Sequence, residues 1–428
     1  MATALVLPVA AAERVIAFRG ATVMPISARP IEDGVVVVRN GKIEAVGTAR
    51  QVKVPRGAEE IDLAGKVLMP GLVDTHSHLG RVSGGDRSGP LHPGVRALDG
   101  VNIHHDSLWR ARAGGLTTIN VMPGSGHLMS GQTVYLKLRH EPRSIEDWLY
   151  CDDPIDGICG SMKMANGTNS MRDDPFPGTR AKSAALVREL FVKAQNYAAK
   201  QERAASGDDE DAKPPDRDLG LEAVGQLLRG ERRIQHHTHR HDDVATILRL
   251  KEEFGFEVVL QHGTETWMLA EELAEAGIGV SFTLVDSPGG KEEIMRMRMD
   301  GPALLEQAGV DVSLNTDDWI TDSRLLLRTA ALAVRHGMTR EGGLEAVTLA
   351  PARHLGLADR IGSIEPGKDA DLVVLSGDPL SVYTQVLETW VEGEQVYDAS
   401  NPEHQKYAVG GWQVYRAAAI HDHEGCWR

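Results

Sequence analysis

Apolar and polar positions along the chain follow two rhythms. Residues 14 to 68 alternate short β-type runs with turns: Val15-Ile16-Ala17-Phe18, then Val35-Val36-Val37-Val38, then Ile43-Glu44-Ala45-Val46. Asn40-Gly41, just before the third run, predicts a tight hairpin, because both central positions of that turn take positive φ. From residue 70 to about 350 short apolar strands alternate with helix-length segments, the signature of repeated βα units and a parallel sheet. The predicted strands are Leu68 to His76, Thr117 to Met122, an uncertain one between 133 and 150, Gly157 to Met164, Arg233 to His237, Glu257 to His262, Gly279 to Phe282 and Val310 to Asn315. Helices are expected over Ala181 to Lys200, Asp243 to Phe254, Glu265 to Ala276 and Gly301 to Ala308.

Eight such units close naturally into a (β/α)8 TIM-like barrel, whose active site lies at the C-terminal ends of the strands. Beyond it, Leu372-Val373-Val374-Leu375 and Val391 to Val396 return to β character. Residues 1–69 and 353–428 are therefore expected to form one small β-sandwich domain, with the barrel, residues 70–352, inserted between them. Residues 201–218 are acidic and contain Pro214-Pro215, and are expected to be a solvated or mobile insertion.

Composition narrows the partners. Hydrophobic residues at 42% and charged residues at 25% are ordinary for a globular α/β protein. A net charge of −15, with no gathering of Lys and Arg, argues against a nucleic-acid partner. The three cysteines, Cys151, Cys159 and Cys426, form no C-x-x-C pair, so neither a disulfide framework nor a cysteine zinc site is expected, and a reducing, cytoplasmic setting is the simpler inference. Residues 3 to 12 are apolar but follow no basic side chain, and leave an exported form open. No run reaches the ~18 uncharged apolar residues of a membrane-spanning helix.

The candidate chemistry sits at the strand ends. His76 and His78 close the first strand; two apart, they share one face and can ligate one divalent metal. The other strand ends supply Lys163, His237 with His239, His262 and Asp317. Taken singly these have plain readings: His262 as a hydrogen-bonded core histidine, Asp317 or Asp318 as a helix N-cap. Of His236, His237, His239 and His241, at least two belong outside the ligand set, because one turn rarely gives a metal so many ligands. Lys163, between Met162 and Met164, is harder to dismiss, since an unpaired ammonium in an apolar setting costs several kcal/mol. A lysine of near-neutral pKa reacts with carbon dioxide to give a carbamate, an anionic ligand that bridges two metals.

Pro70-Gly71-Leu72-Val73-Asp74-Thr75-His76-Ser77-His78 resembles the first-strand H-x-H motif of the amidohydrolase superfamily, and Ile361-Gly362-Ser363-Ile364-Glu365-Pro366-Gly367-Lys368-Asp369-Ala370-Asp371-Leu372 resembles its return to the β domain. The resemblance covers nearly the whole chain and is nearest to the imidazolonepropionase-like group. It implies metal ligands His76, His78, His237, His262 and Asp317, with Lys163 at the position of the carboxylated lysine of binuclear members. His237 is preferred over His239 as ligand. Thr168-Asn169-Ser170 departs from the Glu-Asn-Pro usual in the nearest branch, which puts a role for that loop in doubt.

The implied activity is hydrolysis of a C–N bond in an amide, short peptide or N-acyl amino acid. A divalent metal, zinc foremost, one or two per chain, brings the pKa of bound water to about 7. Asp317 would carry the water's proton to the leaving nitrogen, and His239 or His262 would steady the oxyanion. Arg139, Arg240 or Arg324 could bind a substrate carboxylate. Two alternatives stay open: an imidazolonepropionase-like cyclic amide hydrolase with one metal, and a metal-retaining barrel that binds without catalysing. The partner is then a small molecule, not a nucleic acid or a membrane, and the protein is expected to be a homo-oligomer.

Overall fold

A computed structural model of the protein describes residues 13–82, 85–207, 211, 213–284, 291–318 and 320–410. The chain opens with β1 (Val15–Val23), β2 (Ile31–Arg39) and β3 (Lys42–Thr48), an antiparallel meander. Asn40 and Gly41 take φ of 48° and 78°, so the hairpin forms where the sequence places it. The unbroken valine run of β2 is buried on both faces: Val36 and Val38 pack with Ile16, Phe18 and Ile43, while Val35 and Val37 pack with Ala17 and Val52. β4 (Glu59–Asp62) and β5 (Val67–Pro70) run parallel to β1.

The strand predicted from Leu68 to His76 is two strands. After β5 the chain changes sheet at Gly71 and continues as β6 (Leu72–Ser77). A Cβ at Gly71 would lie 2.2 Å from Thr117 Cγ2, so the crossing is open only to glycine. β7 (Leu116–Val121) pairs parallel to β6. β8 (Met129–Gln132), which the sequence did not predict, pairs antiparallel to β10 (Met162–Ala165), and the uncertain strand expected between 133 and 150 is β9 (Val134–Lys137), antiparallel to β7. These two antiparallel pairs depart from the expected all-parallel set.

From β10 the order is regular: β11 (Ile234–Thr238), β12 (Val258–His262), β13 (Gly279–Phe282) and β14 (Val312–Leu314) pair in parallel, each with its predecessor. A parallel bridge between Ser77 and Asp318 joins the end of β6 to the chain just after β14. The fold is thus α/β, with a mixed six-stranded and a three-stranded sheet whose strand ends meet. Finally β15 (Leu372–Leu375), β16 (Val386–Val391) and β17 (Glu394–Asp398) add to β5, so that both ends of the chain build one sheet of eight strands that folds back on itself, Phe18 of β1 packing 5.1 Å from Trp390 of β16. β5 makes it continuous by pairing with β1 on one side and β15 on the other.

Two expectations are corrected. The helix expected to stop at Lys200 spans Arg180–Ser206, capped by Thr179 and closed by Gly207 at φ 72°, so the insertion begins as helix. Its alanines and long straight side chains favour helix over loop. Residues 208–210 and 212 of that insertion lie outside the described residues. Cys151 and Cys159, expected to be free thiols, form a disulfide with Cα atoms 5.0 Å apart. The turn 153–157 between them, closed by Gly157 N–H donating to Asp153 O, brings them together, which sequence spacing does not reveal. Cys426 and residues 3–12 fall outside the described residues. Among the described residues no helix is long and apolar enough to cross a membrane.

Candidate metal centre

The residues singled out at the strand ends come together. His76 and His78 leave β6, Lys163 stands in β10, His237 in β11, His262 ends β12, and Asp317 follows β14. Asp317 Oδ1 lies 3.1 Å from His78 Nε2 and 3.4 Å from His76 Nε2, and its Oδ2 is 3.7 Å from His262 Nδ1. Ligand atoms of His76, His262 and Asp317 all lie within 4.8 Å of one another. His237 joins through His262, their ring centroids 4.4 Å apart. Lys163, fully buried, places Nζ 3.1 Å from His76 Nε2 and 3.0 Å from Met122 Sδ. Asp317 is not a helix cap; it takes a left-handed φ of 43° and donates its backbone N–H to His76 O.

The hydrogen bonds fix the imidazole tautomers. His78 Nδ1 lies 2.8 Å from the carbonyl of Met122, which only accepts, so Nδ1 carries the hydrogen and Nε2 the lone pair. Lys163 can only donate to His76 Nε2, so that ring donates Nδ1–H to Gln261 Oε1 at 3.2 Å. Thr283 gives its hydroxyl hydrogen to Asn315 Oδ1 and so accepts from His262 Nδ1 at 2.9 Å, which leaves Nε2 of His262 as a buried lone pair without a hydrogen-bond partner. His76 and His78 thus present Nε2 to Asp317, whereas the His262 nitrogen facing that carboxylate is Nδ1. Fixing the tautomer of a ligand histidine by a hydrogen bond from its other nitrogen is the usual support of a metal site.

Electrostatics agree. Burial, reinforced by the neighbouring cations and rings, holds His76 and His237 well below the usual histidine range and pushes His262 down to about 3. Burial alone would raise the Asp317 carboxyl, yet His76, His78 and His262 hold it well below its usual range. Neutral imidazoles around an ionised carboxylate are a donor set that fits a divalent metal. Both ring nitrogens of His237 lack a hydrogen-bond partner, a further sign that the set is built for something other than hydrogen bonding.

The remaining histidines divide. His239 has Nδ1 2.8 Å from Thr264 Oγ1 and Nε2 3.3 Å from Lys291 Nζ, with its ring stacked 5.1 Å from His262. His236 turns to the opposite face, donates to the carbonyl of His237 and lines a small cavity with Asn166 and Asp243. His241 begins the next helix and pairs with Glu265 at 2.8 Å. The three arginines considered for a substrate carboxylate have other partners: Arg139 pairs with Glu392, Arg240 with Asp242 and Arg324 with Asp322. Gln261, Thr283, Met122 and Lys291 were not singled out from the sequence. Polar residues inside otherwise apolar strands, such as Gln235, Gln261 and Ser281, were the available signal for the first of these, since all three are fully buried.

The profile of the Amidohydrolase family matches residues 161–397, more than half of the chain. A crystal structure of an amidohydrolase from Thermotoga maritima MSB8 superposes with a TM-score of 0.83 at 37% identity, covering 90% of this chain and 100% of that one. The amidohydrolase tasK of Hapsidospora irregularis is 28% identical over 394 residues, 85% of this chain; the match spans only 40% of that longer protein. An imidazolonepropionase of Caulobacter sp. (strain K31) is 27% identical over 80% of this chain and 88% of its own length.

Proposed function

The chain belongs to the amidohydrolase family, and on that footing we propose that it is a metal-dependent hydrolase of a small amide, short peptide or N-acyl amino acid, with Asp317 as the proton carrier. The observation that carries the reading is the Asp317 carboxylate, 3.1 Å from His78 Nε2 and 3.4 Å from His76 Nε2, at the mouth formed by strand ends. In this reading residues 70–352 are a (β/α)8 barrel, which the Ser77–Asp318 bridge between first and last strands supports. Residues 1–69 and 353–428 are its satellite β domain.

His76, His78, His237, His262 and Asp317 would hold the metal, with zinc the ion their nitrogen and oxygen atoms suit. A divalent ion there supplies an acidified water and polarises the scissile carbonyl. The protein's own groups do the rest. Asp317 accepts the proton of the attacking water at a carboxylate oxygen and returns it to the leaving nitrogen. Gln261 and Thr283 hold the rings of His76 and His262 in orientation, while His239, stacked on His262, would steady the forming oxyanion only as an imidazolium, because its Nε2 faces the Lys291 ammonium and its Nδ1 faces Thr264. Lys163, as a carbamate, would add an anionic ligand and admit a second metal.

The test is turnover of N-acyl amino acids, dipeptides and imidazolone-type lactams by protein prepared with zinc and bicarbonate. Hydrolysis that disappears on chelation and returns with zinc is expected. A protein that retains zinc yet cleaves no member of the panel would instead be a binding barrel.

A further inference from the structure

We propose that Gln235 and Asn315 are positioning residues of the metal centre: through one chain of hydrogen bonds they fix the Nδ1–H of His76 and of His262, and with it the orientation of both rings. The inference rests on the metal-centre reading above and adds residues that act on its ligands only through others. Gln235, two residues before His237, shares its face of β11. Gln261 and Ser281 lie side by side in register on β12 and β13, and Asn315 follows β14. All four side chains are fully buried, where a polar group is costly unless its hydrogen bonds are made.

The chain starts from two backbone carbonyls, which can only accept. Gln235 Nε2 donates to the carbonyl of His354 at 3.4 Å and to Ser161 Oγ at 3.2 Å, so Gln235 Oε1 is turned to Gln261 and accepts from its Nε2 at 2.6 Å. Gln261 therefore offers an oxygen to His76 Nδ1 at 3.2 Å, and that nitrogen must carry the hydrogen. In the second branch Asn315 Nδ2 donates to the carbonyl of Ser281 at 3.0 Å, so Asn315 Oδ1 accepts from Thr283 Oγ1 at 2.8 Å. With its one hydrogen given to Asn315, Thr283 accepts from His262 Nδ1 at 2.9 Å. Asn315 Nδ2 also reaches Gln261 Oε1 at 3.3 Å and ties the two branches together.

Neither end of the chain can reverse. Turning the Gln235 amide over would set Oε1 against the carbonyl of His354, and turning Asn315 would set Oδ1 against that of Ser281. His354 stands in the last turn of the helix Leu349–Leu355, where backbone carbonyls have no partner within the helix, so its oxygen is open to the amide. The hydrogen on His76 Nδ1 is thereby assigned whatever the charge on Lys163. Each ring keeps Nε2 as its lone pair, and that of His262 is buried without a hydrogen-bond partner. Every link is an amide or a hydroxyl, so the chain orients two ligands without adding a buried charge, and a satisfied buried network of this kind holds one geometry.

The experiment reads the ring hydrogens of isotope-labelled histidines by NMR in the metal-free protein, and zinc affinity by competition with a chromophoric chelator, for wild type, Gln235→Leu, Asn315→Leu, Thr283→Val and Thr283→Ser. In wild type His76 and His262 should each show a hydrogen on Nδ1, shifted downfield by its hydrogen bond. Gln235→Leu should move the His76 signal upfield and leave that of His262, Thr283→Val should do the reverse, and Asn315→Leu should move both. Each of the three should raise the zinc Kd by about tenfold or more, the usual cost of losing a hydrogen bond that supports a ligand. Thr283→Ser keeps the hydroxyl and should recover the wild-type signal and affinity. A His76 signal unmoved in Gln235→Leu, or a His262 signal unmoved in Asn315→Leu, would overturn the proposal even if affinity fell, since packing would then account for the loss. If wild type binds no zinc but the ring signals respond as described, the chain stands and the metal-centre reading falls. Should a leucine variant misfold, the alanine variant at that position carries the same reading.

Discussion

His78 Nε2 and Asp317 Oδ1 face each other across 3.1 Å, although the only hydrogen of a neutral His78 ring is given to the carbonyl of Met122 on its far side. Two acceptors in such contact repel unless a cation lies between them or the ring gains a second proton. Metal should therefore stabilise the folded protein: chelation should lower the melting temperature, and zinc at ~100 times its Kd should restore about 2.7 kcal/mol. His78→Ala should remove most of that response. A melting temperature indifferent to chelator and zinc would leave the pair without its cation.

Asp317→Asn separates proton carriage from folding. Asparagine tolerates the left-handed φ of 43° at this position, so the backbone is preserved. Loss of the general base and acid should cost about 10²- to 10⁴-fold in kcat with metal content roughly retained. Near wild-type turnover in this variant would remove Asp317 from the mechanism.

Metal stoichiometry answers the Lys163 question. Prepared with bicarbonate and excess zinc, wild type should hold two equivalents and Lys163→Met one, read by elemental analysis. One equivalent in both would favour the one-metal reading, in which Lys163 acts as the ammonium bonded to His76.

His127 offers a pH test away from the metal residues. Burial pushes its imidazole down to about 4, against the pull of its hydrogen bond to the carbonyl of Asp86. Between pH 6.5 and 4 the unfolded chain takes up a proton that the folded ring refuses, so stability falls as pH falls through that window. The melting temperature of wild type should drop more steeply over it than that of His127→Gln. Parallel curves would count against a buried neutral ring.

Lys137 ties the two parts of the fold together. Its buried Nζ pairs with Asp369 and lies 3.1 Å from both Asp371 and Glu392, carboxylates that come from the far end of the chain. Lys137→Met strands these charges and should cost about 3–5 kcal/mol in urea unfolding. A companion Asp371→Asn substitution should recover part of it, because one uncompensated charge is then gone.

The hairpin at Asn40-Gly41 and the strands β10 to β14 were legible because their signals are local: turn residues that need positive φ, and apolar runs of strand length. The antiparallel pairing of β8 with β10 and of β9 with β7 was not, because the neighbour a four-residue strand takes is set by tertiary packing and not by its own residues. Nor was the Cys151–Cys159 bond, since it depends on the turn at Asp153 and Gly157. The ligand types at the strand ends were visible, while their partners Gln261, Thr283 and Met122 were hidden among buried strand residues that alternation alone does not rank.

By itself the sequence determined which chemical groups stand at strand ends, because a two-residue alternation puts His76 and His78 on one face and a strand boundary sets His262 and Asp317 at the ends of their own runs. Only the tertiary structure decided how those groups are charged and aimed. Tautomers follow from what each second ring nitrogen touches, through hydrogen bonds such as His78 to Met122 and His76 to Gln261. Contacts of that kind join residues 44 and 185 positions apart, and no local pattern in the chain encodes them.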